Sequence, residues 1–413
     1  MRVKISVKNL LEAFAIADSG AKAVVRKVSR TKTECTPAML TFEARCAGGG
    51  ALKIRTLGEF PAAVVTTSAV VEAIVEEEGV HSCDLEDARA AFAKLKKTAK
   101  RGTWVDLSSD DFSDSVLTRT GNTALPIPKD RDTRVDDFAD VPAVAVIPSC
   151  GIRAALDMSK GMVLGVDGEL FGHVVSFGHG IAAASDNRNA EFLAMPTVPD
   201  DASPIHVPRQ VLTVLARSPE SAAHIADGYA SSGAVRVTWR LIGNRTHADF
   251  LFGRIRGLAD GKAAAATTID GGELRQALAS LSAFLAKGDA IRLIPDECGV
   301  RILRYDVRDD AHDLYVTRKV CEAPTVSRDH DVVVGERQTL ADRAEVLVGA
   351  LWPLPRAVTL PASRLKRILG NADGLDLCLD RDPCGPVAAH VHGDPVVHLM
   401  CQCPCPFNDA DTI

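Results

Sequence analysis

The stretch "ISVKNLLEAF" (Ile5 to Phe14) returns in altered form as "IPSCGIRAAL" (Ile147 to Leu156) and "IDGGELRQAL" (Ile269 to Leu278). The three share a frame: Ile, four residues, Leu or Ile, two residues, Ala, then Phe or Leu. An Ile that closes a strand, followed by apolar residues spaced four apart, describes a strand running into a helix with one buried face. Asn9, Ser149 and Asp270 are residue types that favour helix starts, so they are the expected caps.

A second frame follows each copy of the first, as "DLEDARAAF" from Asp84, "PRQVLTVLA" from Pro208 and "PASRLKRIL" from Pro361. Ala88, Leu212 and Leu365 share one position of it, Ala91, Leu215 and Ile368 a second, and Phe92, Ala216 and Leu369 a third. Each copy is an amphipathic helix, begun by Pro at the first turn or capped by Asp84. Strand-like stretches surround the helices, among them "MLTFEA", "AVRVTWRLI", "ADFLFGRI", "AIRLI", "DLYVTRKV" and "LDLCLD". A helix with several strands, used twice per domain in three domains, is the expected organisation. The charged "PKDRDTRVDDFADVP" and the small-residue "GLADGKAAAATT" are the expected linkers, which gives domains 1–140, 141–263 and 264–413. The charged run "CEAPTVSRDHDVVVGERQTLADRAEV" is expected to hold a mobile loop. The predicted class is α+β, with two helices packed on antiparallel sheets in each domain.

Apolar residues at 46% and charged residues at 25% are globular values, and no apolar run is long enough to span a bilayer. "MRVKISVKNLLEAF" carries charges through its hydrophobic run and lacks a small-residue cleavage site, so no secretory signal is read there and the cytoplasm is the expected compartment. The 11 cysteines, odd in number and scattered, fit reduced thiols.

The net charge of -6 conceals an asymmetry. Segments 8–27, 84–101, 148–162, 208–220, 271–288 and 361–374, which contain the predicted helices, hold 19 basic and 9 acidic residues. Solvated helix faces usually carry as much glutamate as lysine, so positive helices on a negative body mark a basic surface. Its candidates are Lys8, Arg26, Lys27, Arg89, Lys94, Lys97, Lys100, Arg101, Arg153, Lys160, Arg209, Arg217, Arg275, Arg364 and Arg367.

Three repeated domains of two helices behind antiparallel strands resemble, over the whole chain, the β sliding clamp of bacterial DNA polymerase III. "VKISVKNLLEAF" is similar to the clamp's first strand and helix, and "LKIRTLGEFPAAVVTTSAVVEAIVEEEGVHSCDLEDARAAFAKL" to the stretch that runs into its second helix. "AAASDNRNAEF" stands where the family carries a Thr-Asp-Gly-His-Arg-Leu turn, matched at Ser185 and Asp186. "LPASRLKRILGNADGLDLCL" and "CGPVAAHVHGDPVVHLM" resemble the last helix and terminal hairpin, with Met400 kept and Cys401 in place of a proline. Leu258 and Ala259 stand where the family has a Phe-Pro pair after the last long strand of the middle domain.

The resemblance implies a non-enzymatic homodimeric ring, without cofactors, that encircles duplex DNA in the cytoplasm, at the nucleoid, and tethers the replicative polymerase; the basic helix residues would then face phosphates, indifferent to base sequence and sensitive to salt. DNA polymerase and clamp-loader subunits would dock short peptide motifs between the second and third domains, at Ser185, Asn187, Arg188, Ala190, Leu258, Leu399, Met400 and Cys401. Within this fold the alternative is a clamp-like accessory or mobile-element paralogue that does not serve the host polymerase. From another class, the alternative is a metal-dependent enzyme using the terminal His/Cys cluster.

That cluster lies in "HVHGDPVVHLMCQCPCPF". With Gly393 and Asp394 as a two-residue turn, His390 faces Val397 and His392 faces Pro395, and alternation puts His398 on the opposite side from both. Cys401 shares the face of His390 but lies ~13 Å along the strand from Val397, too far for tetrahedral ligation. No metal is expected, and the cysteines read as small apolar residues. No phosphate-binding Gly-x-x-x-x-Gly-Lys-Ser/Thr loop, His-Glu-x-x-His or Gly-x-Ser-x-Gly occurs. Asp186 and Arg188 read as turn residues and Ser363 with Lys366 as a chance pair, so no catalytic residue is expected.

Overall fold

The structure, a computed structural model, describes residues 1–21, 24–27, 33–36, 38–46, 49–99, 102–109, 114–121, 123–130, 141–165, 169–186, 189–201, 203–246, 248–249, 252–253, 255, 265–282, 285, 290–296, 299–305, 345–348, 358–379 and 387–400. It divides into two compact units, 1–186 with 195–254, and 187–194 with 255–413.

Helices α1 (Val7–Ser19), α2 (Leu85–Thr98), α3 (Ser149–Lys160), α4 (Arg209–Leu215), α5 (Gly271–Leu281) and α6 (Ala362–Leu369) carry the two frames in alternation. In the first unit α1 packs on α2 and α4, and α3 on α4; in the second, α5 packs on α6. Strand Arg2–Ser6 alternates as a half-buried strand should, with Val3 and Ile5 inside and Arg2 and Lys4 outside. It runs straight into α1, whose Leu10, Ala13, Phe14 and Ala17 form one buried stripe.

The caps differ from expectation in two of three cases. The Ser6 hydroxyl accepts the Asn9 N–H at 3.2 Å, so Ser6 is the cap and Asn9 lies in the first turn. Ser149 is already helical, and Pro148 precedes it with no side-chain bond. Asp270 caps α5 as expected, accepting the Glu273 N–H at 2.8 Å. The helix starts within two residues of the strand's last buried Ile, which leaves the cap nearer that Ile than composition alone indicates. Ser6→Ala should therefore cost about 0.5–2 kcal/mol, whereas Asn9→Ala should not destabilise the helix. Hydrogen exchange in the first turn of α1 distinguishes the two.

The first unit contains a sheet of thirteen strands that runs from Ala145–Pro148 at one edge to Ile74–Glu77 at the other. Its fourth and fifth strands, Val235–Leu241 and Ala63–Glu72, pair antiparallel, in register from Val235 opposite Ala69 to Leu241 opposite Ala63. The core beneath its first part gathers Leu10, Phe14, Leu40, Phe42, Ile54, Phe92 and Leu95. Strands Ile205–Pro208, Val174–Gly178 and Ile181–Ser185 form a further group in this unit.

One expected strand is helical instead. Residues 248, 249, 252, 253 and 255 of "ADFLFGRI" are in helical conformation, with Ala248, Phe252 and Ile255 buried. Spacings of four and three match a helix face, and a short apolar run carries both periods at once.

In the second unit, Asn189–Ala194, Val396–Met400, Val387–Val391, Gly374–Leu379 and Ala265–Asp270 lie side by side in that order. A second sheet orders Glu345–Val348, Gly299–Tyr305, Ala290–Asp296 and Val358–Pro361. Ile269, Leu274, Leu278, Leu365, Ile368, Leu377 and Met400 fill the core. "DLYVTRKV", the expected mobile loop up to residue 344 and most of both expected linkers lie outside the described residues. Among the described residues no helix is long and apolar enough to cross a membrane.

Candidate nucleic-acid and partner surfaces

The basic candidates fall into distinct groups. Lys94 and Lys97 on α2 and Arg153 on α3 are exposed, and no ion pair engages them among the described residues. Lys96, which the sequence reading passed over, is exposed beside them. Arg209 is half-buried at the start of α4. Lys8 lies 3.9 Å from Glu12 and Lys160 2.7 Å from Asp157, both exposed pairs on a helix surface. Such pairs contribute about 0–1 kcal/mol, so a phosphate can displace them.

Other candidates are tied into the fold. Arg89 holds Asp18 at 2.6 Å and also Glu86, which joins α2 to the end of α1. Arg217 donates to the Ala15 carbonyl at 3.2 Å, and Arg275 donates to the Ala372 carbonyl. Arg26 and Lys27 are not on a helix: α1 stops at Ser19, and both residues lie on strand Val24–Lys27, paired with Thr33–Thr36. Lys100 and Arg101 lie outside the described residues.

Arg364 points inward, contrary to expectation. Its guanidinium donates to Glu191 Oε1, Arg367 donates to the same oxygen at 2.8 Å, and His398 Nδ1 lies 3.2 Å from it. Asp394 Oδ2 is 3.6 Å from His398 Nε2. Glu191, Arg364 and His398 are 4%, 7% and 5% exposed, so this is a buried charge cluster and Arg364 cannot face DNA. One signal was legible: Arg364 sits a helical turn before Ile368, on the apolar stripe of α6. Arg367, at 41% side-chain exposure, keeps one side toward solvent.

The terminal hairpin keeps the expected register, with His390 opposite Val397, but its turn is centred one residue earlier. The Asp394 N–H bonds the Val391 carbonyl at 3.0 Å across His392 and Gly393, and Gly393 takes a φ of 84° that suits glycine. On the outer face His392 Nε2 lies 3.1 Å from Asp376 Oδ1, which also accepts the Thr268 hydroxyl at 2.7 Å. Burial alone would raise the Asp376 pKa, but the bonds from Thr268 and His392 and the nearby His390 ring hold it below the usual value. Among the described residues no three His, Cys, Asp or Glu side chains converge to hold a metal ion.

No protein-family model matches the chain, and no curated protein matches it by sequence. Solved structures do match it. The DNA polymerase sliding clamp of Caulobacter crescentus aligns with 98% of this chain and 100% of its own, at a TM-score of 0.67 and 13% identity. The DNA polymerase III subunit beta of Pseudomonas aeruginosa aligns with 97% of this chain and 99% of its own, at 0.64 and 15%. The chain has the sliding-clamp fold.

Of the partner residues expected for a clamp, Ser185 ends its strand in the first unit. In the second unit Ala190 and Leu399 are direct cross-strand partners, 8% and 5% exposed. Met400 is 0% exposed within the core, so it cannot line an open groove; alternation gives it the same inward face as His398. Asn187, Arg188, Leu258 and Cys401 lie outside the described residues. Nor does Leu258 directly follow the long strand Val235–Leu241, because the helical stretch through Ala248 and Phe252 intervenes.

Two side chains beside Ser185 lie outside both sequence frames. Val163 and Leu164 are 71% and 52% exposed, in the loop after α3. Asp186, buried in the turn, accepts the Val163 N–H at 3.0 Å, and the Ser185 carbonyl accepts the Gly172 N–H at 2.8 Å. Loop and turn are thereby fixed together, with an apolar pair held outward. The legible signal was "GMVLGVDG", two aliphatics between glycines and outside either frame.

Proposed function

We propose that this protein is a DNA sliding clamp. Two chains, each with clamp domains at 1–140, 141–263 and 264–413, close head to tail around duplex DNA and tether a replicative polymerase. The protein acts in the cytoplasm, at the nucleoid, as a scaffold without catalysis or cofactor. The observation that carries this reading is coverage: the likeness takes in 98% of this chain and the whole of the C. crescentus clamp. The exposed basic side chains of α2 and α3 suit a surface that meets phosphates without reading bases. Ser185, Val163 and Leu164, all in the first unit, are the proposed partner-contacting residues, with polymerase and clamp-loader peptides as their ligands. Griselimycin, bound by the P. aeruginosa clamp, is a ready probe for them.

Topology tests the reading. Loaded protein should remain on circular duplex and leave when the circle is linearised, and native mass spectrometry should give a dimer. Equal retention on linear and circular DNA, or a strict monomer at micromolar concentration, overturns the ring. Lys94→Glu, Lys97→Glu and Arg153→Glu together should reduce loading several-fold. For each phosphate that is no longer neutralised, the slope of log affinity against log salt should fall by about 0.9.

A further inference from the structure

His206 is 0% exposed, and each of its polar side-chain atoms is engaged. Nδ1 lies 2.7 Å from Ser176 Oγ, and Nε2 lies 2.8 Å from Asp249 Oδ1. Its carbonyl accepts the Trp239 indole N–H at 3.0 Å. The chain Ser–His–Asp has the order of a nucleophile, a base and an acid. Ser176, however, is 7% exposed, whereas Asp249 at the other end is 46% exposed, so the open end is the carboxylate. No substrate reaches the hydroxyl, and the array serves as a strut.

What the strut holds is the helical stretch after strand Val235–Leu241. A second attachment lies one turn on, where Phe252, 1% exposed, stacks on His179 with ring centroids 6.1 Å apart. Gly178 lies against that ring, close enough that a Cβ there would touch it at 3.4 Å. One attachment is therefore apolar packing, and the other runs through a titratable ring. The charged groups around His206 are Asp249 directly and, beyond it, Arg245 and Asp227, themselves paired at 2.8 Å.

The geometry points to His206 as a positioning residue that holds the helical residues 245, 246, 248, 249 and 252 to the sheet while its ring is neutral, so that they loosen in acid. In the neutral ring Nε2–H donates to Asp249 while Nδ1 accepts the Ser176 hydroxyl. Protonation places a cation in a closed site and sets Nδ1–H against that hydroxyl, which must turn. Burial lowers the His206 pKa from 6.5; Asp249 opposes this, Arg245 adds to it and Asp227 opposes it. An open His206 therefore binds its proton at higher pH than a closed one. Closure is fully favoured above about 6.5 and weakens as pH falls from there toward the lowered value.

Hydrogen exchange of the full chain, read by mass spectrometry on a fragment covering 242–255, tests this. After correction for intrinsic rates, exchange in the wild type should rise several-fold between about pH 7.5 and about pH 5.5, while α2 stays constant. His206→Gln keeps an amide donor and acceptor without a titrating ring, so its exchange should be the same at both pH values. Asp249→Ala, at a half-exposed position that tolerates change, removes the acceptor of the Nε2–H and should exchange fast at both. A flat wild-type profile, a pH response retained in His206→Gln, or wild-type exchange in Asp249→Ala each overturns the proposal. None of these readouts depends on DNA or a clamp partner.

Discussion

Glu191→Ala should destabilise the second unit by about 3–5 kcal/mol. The substitution removes the one carboxylate shared by Arg364, Arg367 and His398. Arg367 can turn to water, but Arg364 at 7% exposure stays enclosed with its charge. Hydrogen exchange in α6 and the terminal hairpin, with urea unfolding of the full chain, measures the loss. A companion variant identifies the cause. Glu191→Leu with Arg364→Met replaces the charges by apolar volume and should recover most of the stability, because a buried ion pair exchanged for packing is often neutral. If the double variant is as unstable as Glu191→Ala, strand packing rather than stranded charge is responsible.

Phe92→Ala should cost the first unit about 3–5 kcal/mol through the cavity it leaves. The ring is 2% exposed and meets Phe14 edge-on at 4.5 Å between centroids and Phe42 at 6.2 Å. Three elements meet at this ring: α1, α2 and strand Met39–Arg45. Alanine is the better helix former, which offsets less than about 1 kcal/mol. Phe92→Leu, which keeps most of the volume, should cost clearly less. An equal cost would place the effect in the aromatic pairing and not in the void.

The helices were legible because their apolar positions repeat. Leu10 with Phe14, and Leu365 with Ile368 and Leu369, fall one turn apart and are buried where that spacing puts them. Strands with strong alternation, such as Val235–Leu241, were equally plain. The stretch from Ala248 to Ile255 was not, since its phenylalanines satisfy two periods and only its tertiary packing chooses between them. The basic surface was legible as a total and not residue by residue. Arg153 and Arg364 look alike in sequence, yet one faces solvent while the other meets a carboxylate far along the chain. Val163 and Leu164 escaped notice because no period marks an exposed loop, and what holds them there is the hydrogen bond from the Val163 N–H to Asp186.

The ladder between Ala63–Glu72 and Val235–Leu241 joins a strand of the proposed first domain to one of the second. Main-chain bonds carry it, and every amino acid except proline brings the same donor and acceptor to such a bond. A junction of that kind asks of its side chains only that they alternate and fit a pleated surface. Many different sequences can therefore form both strands without parting them. This is how a chain can keep the clamp architecture from end to end at 13% identity to the C. crescentus protein. What holds these two strands together is a hydrogen-bond register, which leaves almost no trace in an alphabet of side chains.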